Sequence, residues 1–260
     1  GMKAWLYDEF HCPSGGAKGA VLAANPELAE RVLVCTSDPE DIEPIKCYRD
    51  QTGDTWYFVP QMARYHYVNN LDPRSTKEFI STTYEAYKKR FGKEFGETIP
   101  GIFTDEPRYC MFGMAVESPV KGWSVSWSPQ LPDIFRDRRG YDLLESLQSL
   151  FFKVDNYRKV RHDFLETIAE LFVDNYTKPI YEWCSKRSLI FTGHLAGEDS
   201  FAAQVKYTGA AMWNYEYMHV PGIDQLTNNN VGVIMAKQVS SVAHQLGKPR
   251  VQRVDQEQPG

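Results

Sequence analysis

The sequence predicts an α/β protein of the TIM type, an eight-stranded (β/α)8 barrel with part of the barrel outside the chain. Three observations lead there. Short apolar runs alternate with helical patterns, which argues for a parallel sheet covered by helices. No Gly-x-Gly-x-x-Gly follows any run, so the nucleotide signature of a doubly wound sheet is missing. Most runs end in Asp, Glu, His or Asn, and a barrel gathers such strand ends around one mouth.

The runs come in this order: Met2 to Tyr7, ending in Asp8-Glu9; Tyr65 to Val68, ending in Asn69-Asn70; Ile99 to Phe103, leading to Thr104-Asp105-Glu106-Pro107. Then follow Ser188 to Thr192, leading to Gly193-His194; Val220 to Ile223, ending in Asp224; and Pro249 to Val251. Helices fill the gaps. Residues 74–92 carry Ile80, Tyr84, Tyr87 and Phe91, an amphipathic stripe. Residues 154–187 carry Val160, Phe164, Ile168, Phe172, Tyr176 and Ile180 at steps of four, with a kink expected at Pro179. Residues 230–246 carry Met235, Val239, Val242 and Leu246, then stop at Gly247. Two stretches break the alternation and are read as loop insertions: 31–64, with a hairpin around Thr52-Gly53-Asp54, and 108–153, a Trp-rich loop with two short helices. Residues 252–260 read as a tail, and the whole of 1–260 as a single barrel domain or fragment.

Composition excludes several classes. Lys and Arg number 29 against 34 Asp and Glu, a net charge of −5, so the basic surplus of a nucleic-acid binder is missing. No apolar run approaches the ~18 residues of a membrane span. The five cysteines are odd in number and lack a Cys-x-x-Cys pair, and no leader is visible; both favour a reducing, cytoplasmic compartment. Six Trp, fifteen Tyr and fourteen Phe provide flat faces for a core or for stacking on sugar rings.

Candidate chemistry lies at the run ends. Asp105 and Glu106 follow a buried strand, where a partly desolvated carboxyl can serve as general acid; the plainer reading is a loop start capped by Asp105. His194 stands between Gly193 and Gly197, with Glu198 and Asp199 close behind, a set able to hold hydroxyls, act as acid or base, or ligate a metal. Asp8, Glu9 and Asp224 are further mouth candidates. Trp123 and Trp127 either pack on the barrel or stack on a ligand. A metal could be held by His194, Glu198 and Asp224, although no His-x-His or HExxH pattern supports one and no metal residue is assigned.

Taken together, Trp5-Leu-Tyr-Asp8-Glu9 with Pro13-Ser-Gly15, Phe103-Thr-Asp-Glu-Pro107, Gly193-His-Leu-Ala-Gly-Glu-Asp-Ser200 and Pro221-Gly-Ile-Asp224 resemble the barrel of bacterial glycoside hydrolases related to family 106, the α-L-rhamnosidase family. The resemblance runs from Met2 to about Val251. It implies a TIM-type barrel within a larger polypeptide, carboxylate catalysis on a sugar and a calcium ion. Glu106, in an Asp-Glu-Pro at a strand end, also resembles the acid position of the Asn-Glu-Pro motif of many barrel glycosidases. Relatives carry an acidic residue just after Gly-Lys-Pro-Arg-Val; here Gln252 follows Val251, and Asp255 or Glu257 could replace it only with a shifted register. The expectation is therefore a glycosidase barrel segment, about strands two to seven. Its substrate is a deoxyhexose-containing glycan such as an α-L-rhamnoside, with Glu106 the acid and Glu198 its partner. Asp8, Glu9, Asp105, His194, Asp199, Asp224, Trp123 and Trp127 would bind substrate. The alternatives are a barrel that binds carbohydrate without catalysis and a metal-dependent hydrolase.

Overall fold

A computed structural model describes residues 1–10, 12–63, 67–109, 122–225, 233–249 and 252–255. In chain order the elements are β1 (Leu6–Tyr7), α1 (Ala20–Ala24), β2 (Arg31–Thr36), β3 (Lys46–Arg49), β4 (Thr55–Met62), α2 (Pro73–Phe79), α3 (Glu85–Phe91), β5 (Gly101–Asp105) and β6 (Trp123–Trp127). There follow α4 (Leu131–Arg139), α5 (Leu147–Phe151), α6 (Tyr157–Phe172), α7 (Lys178–Ser185), β7 (Ile190–His194), α8 (Phe201–Tyr207), α9 (Ala211–Glu216), β8 (Val220–Gln225), α10 (Val233–Gln245) and β9 (Gln252–Asp255).

Five strands form one sheet in the order β1-β5-β7-β8-β9, every pairing parallel. Sequence order and spatial order agree, without the reversal of a doubly wound sheet. Helices lie between successive strands, so this is a mixed α/β fold with a parallel sheet, and among the described residues β1 and β9 are its edges. Of the six runs, Tyr65 to Val68 supplies no strand to this sheet. Residues 65 and 66 lie outside the described set; Val68 makes one antiparallel bridge to Ala29, and Glu30 N donates to the Tyr67 carbonyl. The chain there is tied to the loop before β2, not to β5. The last run lies later than expected, at 252–255, with residues 250 and 251 outside the described set. The tail overlaps that strand, and residues 256–260 are not described.

The two interrupting stretches meet. β2, β3, β4 and β6 form a four-stranded antiparallel sheet in the order β3-β4-β2-β6. The β3–β4 hairpin turns at 50–54, where Gly53 takes φ 93°. Trp123 and Trp127 lie on a strand of this sheet, not in a loop. Trp-Ser-Val-Ser-Trp carries the period-two pattern of a half-buried strand, which its serines obscured. Residues 110–121, within the second stretch, are not described.

The helical stripes were legible, with two corrections. Val160, Phe164, Ile168, Phe172, Tyr176 and Ile180 are all buried. The helix through them does not simply kink at Pro179; a π-turn spans Val173–Thr177 just before it. The proline ring opposes the carbonyl four residues earlier, and the wider turn relieves that clash. A second π-turn, Ile80–Tyr84, separates α2 from α3. It rotates the expected stripe: the fully buried aromatics are Phe79 and Tyr84, five residues apart, while Ile80, Tyr87 and Phe91 are only partly covered.

β7 lies close against β5 because of Gly193. Its φ is 150°, and an added Cβ would fall 2.1 Å from the Thr104 carbonyl oxygen. Gly193→Ala must push the two strands apart. It is expected to lower stability by ~1–3 kcal/mol, measured by denaturant unfolding; an unchanged unfolding midpoint would show that this contact carries no constraint.

Candidate active site

Three adjacent parallel strands bring polar residues to one end of the sheet: Asp105 closes β5, His194 closes β7, and Asp224 lies near the end of β8. Asp105 and His194 are register partners, so their side chains share a face. His194 Nε2 lies 2.7 Å from Asp105 Oδ1. Its Nδ1 lies 3.9 Å from Glu198 Oε1, and Nε2 lies 4.0 Å from Asp224 Oδ2. The imidazole is almost sealed from solvent. Burial alone would lower its pKa, but the Asp105 bond and the Glu198, Asp105 and Asp224 charges outweigh that and raise it. In Asp105 burial pushes upward, and the bonds from His194 and Tyr7 overcome it, holding the carboxyl below its ordinary range. The two shifts describe one ion pair, with Tyr7 OH donating to Asp105 Oδ2.

Glu106 follows with φ 47°, a left-handed conformation that costs a non-glycine residue ~1–3 kcal/mol and is found preferentially at functional sites. The turn places its carboxylate so that Glu106, His194 and Asp224 each have one ligating atom within 4.8 Å of the others. Cys12 Sγ donates to Glu106 Oε2 at 3.2 Å. Burial and then the Glu106 contact push that thiol upward, keeping it protonated.

Glu198 sits behind this group. It is 4% exposed; Oε1 accepts from the Asp224 N–H at 2.6 Å, and Oε2 accepts from Tyr215 OH at 2.7 Å and from the Leu195 N–H at 3.3 Å. Burial raises its pKa beyond what those bonds recover. The expected catalytic partner is thus a buried brace joining the loop after β7 to strand β8 and to Tyr215. Asp224 differs: its Oδ1 is buried without a hydrogen-bond partner among the described residues.

The other candidates are spread wider. Asp8 is fully buried beneath the site. Glu9 accepts from the backbone N–H groups of Phe10, Gly16, Ala17 and Lys18 at 2.7, 3.1, 2.9 and 3.0 Å, so the glycine-rich turn cradles a carboxylate of its own chain. Neither side chain faces the mouth to hold a hydroxyl. Asp199 is exposed on the turn beyond Glu198. Trp127 is buried, and Trp123 stacks on Trp56 at 5.7 Å in the antiparallel sheet; the structure does not bring either to the Asp105–His194 pair. Tyr7, Cys12 and Tyr215 were not among the site residues chosen from the sequence. Tyr7 directly precedes the chosen Asp8, and strand alternation could have set it on the opposite face.

Calcium takes roughly six to eight oxygen ligands. Among the described residues, the Glu106–His194–Asp224 group offers two carboxylates and an imidazole already bound to Asp105, while the Glu198 oxygens are taken. These residues do not fit calcium.

No protein-family model matches the chain, and no curated protein sequence does. Among solved structures, the chain is similar to the rhamnosidase from Novosphingobium sp. PP1Y, with a TM-score of 0.55 and 15% identity over 78% of this chain and 20% of that one. The likeness is one of fold, and the chain spans about a fifth of the length of that enzyme. No helix among the described residues is long and apolar enough to cross a membrane.

The pKa directions set a pH dependence. Asp8 is raised from 3.8 to about 7, and Glu198 is raised too. Each keeps its proton in the folded state where the unfolded chain has released it, so stability falls as pH rises through that interval. His194, also raised, contributes below 6.5 and loses its contribution as pH climbs through its folded value. Asp105 acts oppositely, contributing above 3.8 and losing that on acidification. The contribution of these four groups should therefore be greatest near pH 4 and decline from there toward pH 8. Thermal unfolding across pH checks this; a midpoint that rises steadily from pH 5 to pH 8 would refute it.

Proposed function

We propose that this chain is the catalytic part of a glycoside hydrolase acting on deoxyhexosides of the α-L-rhamnoside type. The observation that carries the reading is the convergence of Glu106, His194 and Asp224 at the ends of three consecutive parallel strands. The unreversed strand order supports a (β/α)8 barrel, and the fold likeness to a rhamnosidase points the same way. Further domains of the same polypeptide are part of the proposal.

Glu106 is assigned as proton donor to the leaving oxygen. Its rare backbone conformation aims it at the mouth, and the Cys12 thiol donates to it. His194, held by Asp105, and Asp224 bind hydroxyls beside it. Two carboxylates answer to the partner role. Asp224 lies within 4.8 Å of Glu106, close to the ~5–5.5 Å spacing of retaining enzymes. Asp255 ends β9, whose backbone pairs with β8 at Gln225, and an inverting enzyme needs its base ~6.5–9.5 Å from the acid. A product that keeps the anomeric configuration assigns Asp224, and one that inverts it assigns Asp255.

Glu106→Gln should lower turnover of an aryl α-L-rhamnoside by ~10²-fold or more while sugar binding, followed by calorimetry, persists. Near-normal turnover in that variant removes Glu106 from the mechanism. Sugar binding by the unaltered chain without any hydrolysis would favour the non-catalytic barrel. A second reading, a metal-dependent hydrolase, draws support from the unpartnered Asp224 Oδ1 beside His194; one nitrogen and two oxygens suit zinc better than calcium. Calorimetric titration with zinc that shows no stoichiometric binding disposes of it.

A further inference from the structure

Beneath the mouth lies a sealed polar cluster. Asp8 is 1% exposed, and among the described residues it has no cationic partner. Hydroxyls surround it instead. Ser14 Oγ donates to Oδ1 at 2.6 Å and Tyr84 OH to Oδ2 at 2.5 Å, and the Thr104 hydroxyl bonds to it as well. Tyr84 ends one π-turn; Tyr176, from the other, lies 2.9 Å from Thr104 Oγ1. Both π-turns thus aim a buried tyrosine at the same carboxylate and its neighbour, and such bulges recur at functional sites.

The other side of Ser14 meets the mouth. Its Oγ accepts from the Asp105 N–H at 2.8 Å, and its own N–H donates to the Asp105 carbonyl at 2.7 Å. Tyr67 OH donates to the Ser14 carbonyl at 2.5 Å. A hydroxyl has one proton and two lone pairs. A carboxylate at position 8 takes the proton, which leaves a lone pair turned toward Asp105.

We propose that Asp8 is a positioning residue: through the Ser14 hydroxyl it fixes the Asp105 peptide, and thereby the carboxylate that orients His194 and the turn that aims Glu106. The inference rests on the mouth being the chemical site and names how that site is controlled. Burial pushes the Asp8 pKa to about 7, so its charge changes near neutrality. The groups that face it are Tyr7 and Glu9 on its own segment, Tyr84 and Tyr87 on the α2–α3 helix, Tyr176 on the second π-turn and Cys184 on α7. All are acids or hydroxyls, and none would hold the charge in place. An Asp8 protonated on Oδ1 becomes a donor to Ser14, the hydroxyl proton swings away from Asp8, and the Ser14–Asp105 bond loses the orientation that the carboxylate imposed.

The test follows the His194 ring by NMR titration in the full chain, in the unaltered protein, Ser14→Ala and Tyr84→Phe. Each substitution removes one hydroxyl from Asp8, but Ser14→Ala alone releases Asp105. Ser14→Ala should lower the His194 midpoint by about one pH unit, the scale of a loosened opposite charge. Tyr84→Phe, which removes a bond that favours the Asp8 carboxylate, should shift it in the same direction but by less than half as much. An unchanged midpoint in folded Ser14→Ala, or equal shifts in both variants, overturns the proposal. Should Ser14→Ala not fold, amide exchange in the unaltered chain decides. Protection of the Asp105 N–H, corrected for intrinsic rate, should fall severalfold as pH drops from about 8 to about 6, while the interior amides of β5 hold theirs. Parallel or absent change overturns it. The readouts are titration and exchange, so a chain that passes them yet shows no glycosidase activity would sink the hydrolase reading alone.

Discussion

β7 lies so close to β5 that no side chain fits between Gly193 and the Thr104 carbonyl, and this approach makes Asp105 and His194 neighbours. A carboxylate and an imidazolium taken out of water do not stabilise a fold by attraction alone, since desolvation costs several kcal/mol per ion. The pair persists because its surroundings are arranged around it. Tyr7 donates to the second Asp105 oxygen, and Ser14 clamps the Asp105 peptide from both sides. Glu198 faces the far ring nitrogen and uses its own oxygens to hold the Leu195 N–H just after β7 and the Asp224 N–H within β8. One close strand contact therefore organises loops that are distant in sequence.

Much of this was legible residue by residue. Asp105, His194 and Asp224 could be picked out because each ends a short apolar run, and parallel strands carry such ends to one side. The six-residue stripe from Val160 to Ile180 announced its buried helix by period alone. Orientation was not legible. Glu198 looked like a mouth residue by its company in Gly193 to Asp199, yet a loop that turns inward buries what its composition would expose. Asp8 and Glu9 lie consecutively at a strand end, and both face inward for different reasons: one is ringed by hydroxyls, the other by backbone N–H groups.

The misread elements share a cause. Trp123 to Trp127 pairs with β2, nearly ninety residues earlier, and long-range pairing leaves only the alternation of side chains as its local trace. The Phe79 to Tyr84 interval of five breaks the four-step reading, because a π-turn adds a residue that no propensity announces. In both cases tertiary contact, not local preference, decided the conformation. Tyr84 shows what the added residue achieves: without it the helix face would turn, and the hydroxyl would miss Asp8.

Of the carboxylates near His194, those whose oxygens are already occupied cannot also receive a substrate. Asp105 is bound by His194 and Tyr7, and Glu198 by two backbone amides and Tyr215. Asp224 keeps a buried oxygen without a partner, and a group in that condition costs ~1–3 kcal/mol until something bonds to it. Among the described residues Glu106 is held only by a thiol, a weak donor, on one oxygen. Unspent hydrogen-bonding capacity is thus confined to the two carboxylates that stand within 4.8 Å of each other. The residues with the most hydrogen bonds are the scaffold, and the ones left incompletely satisfied are where a bound ligand has something to gain.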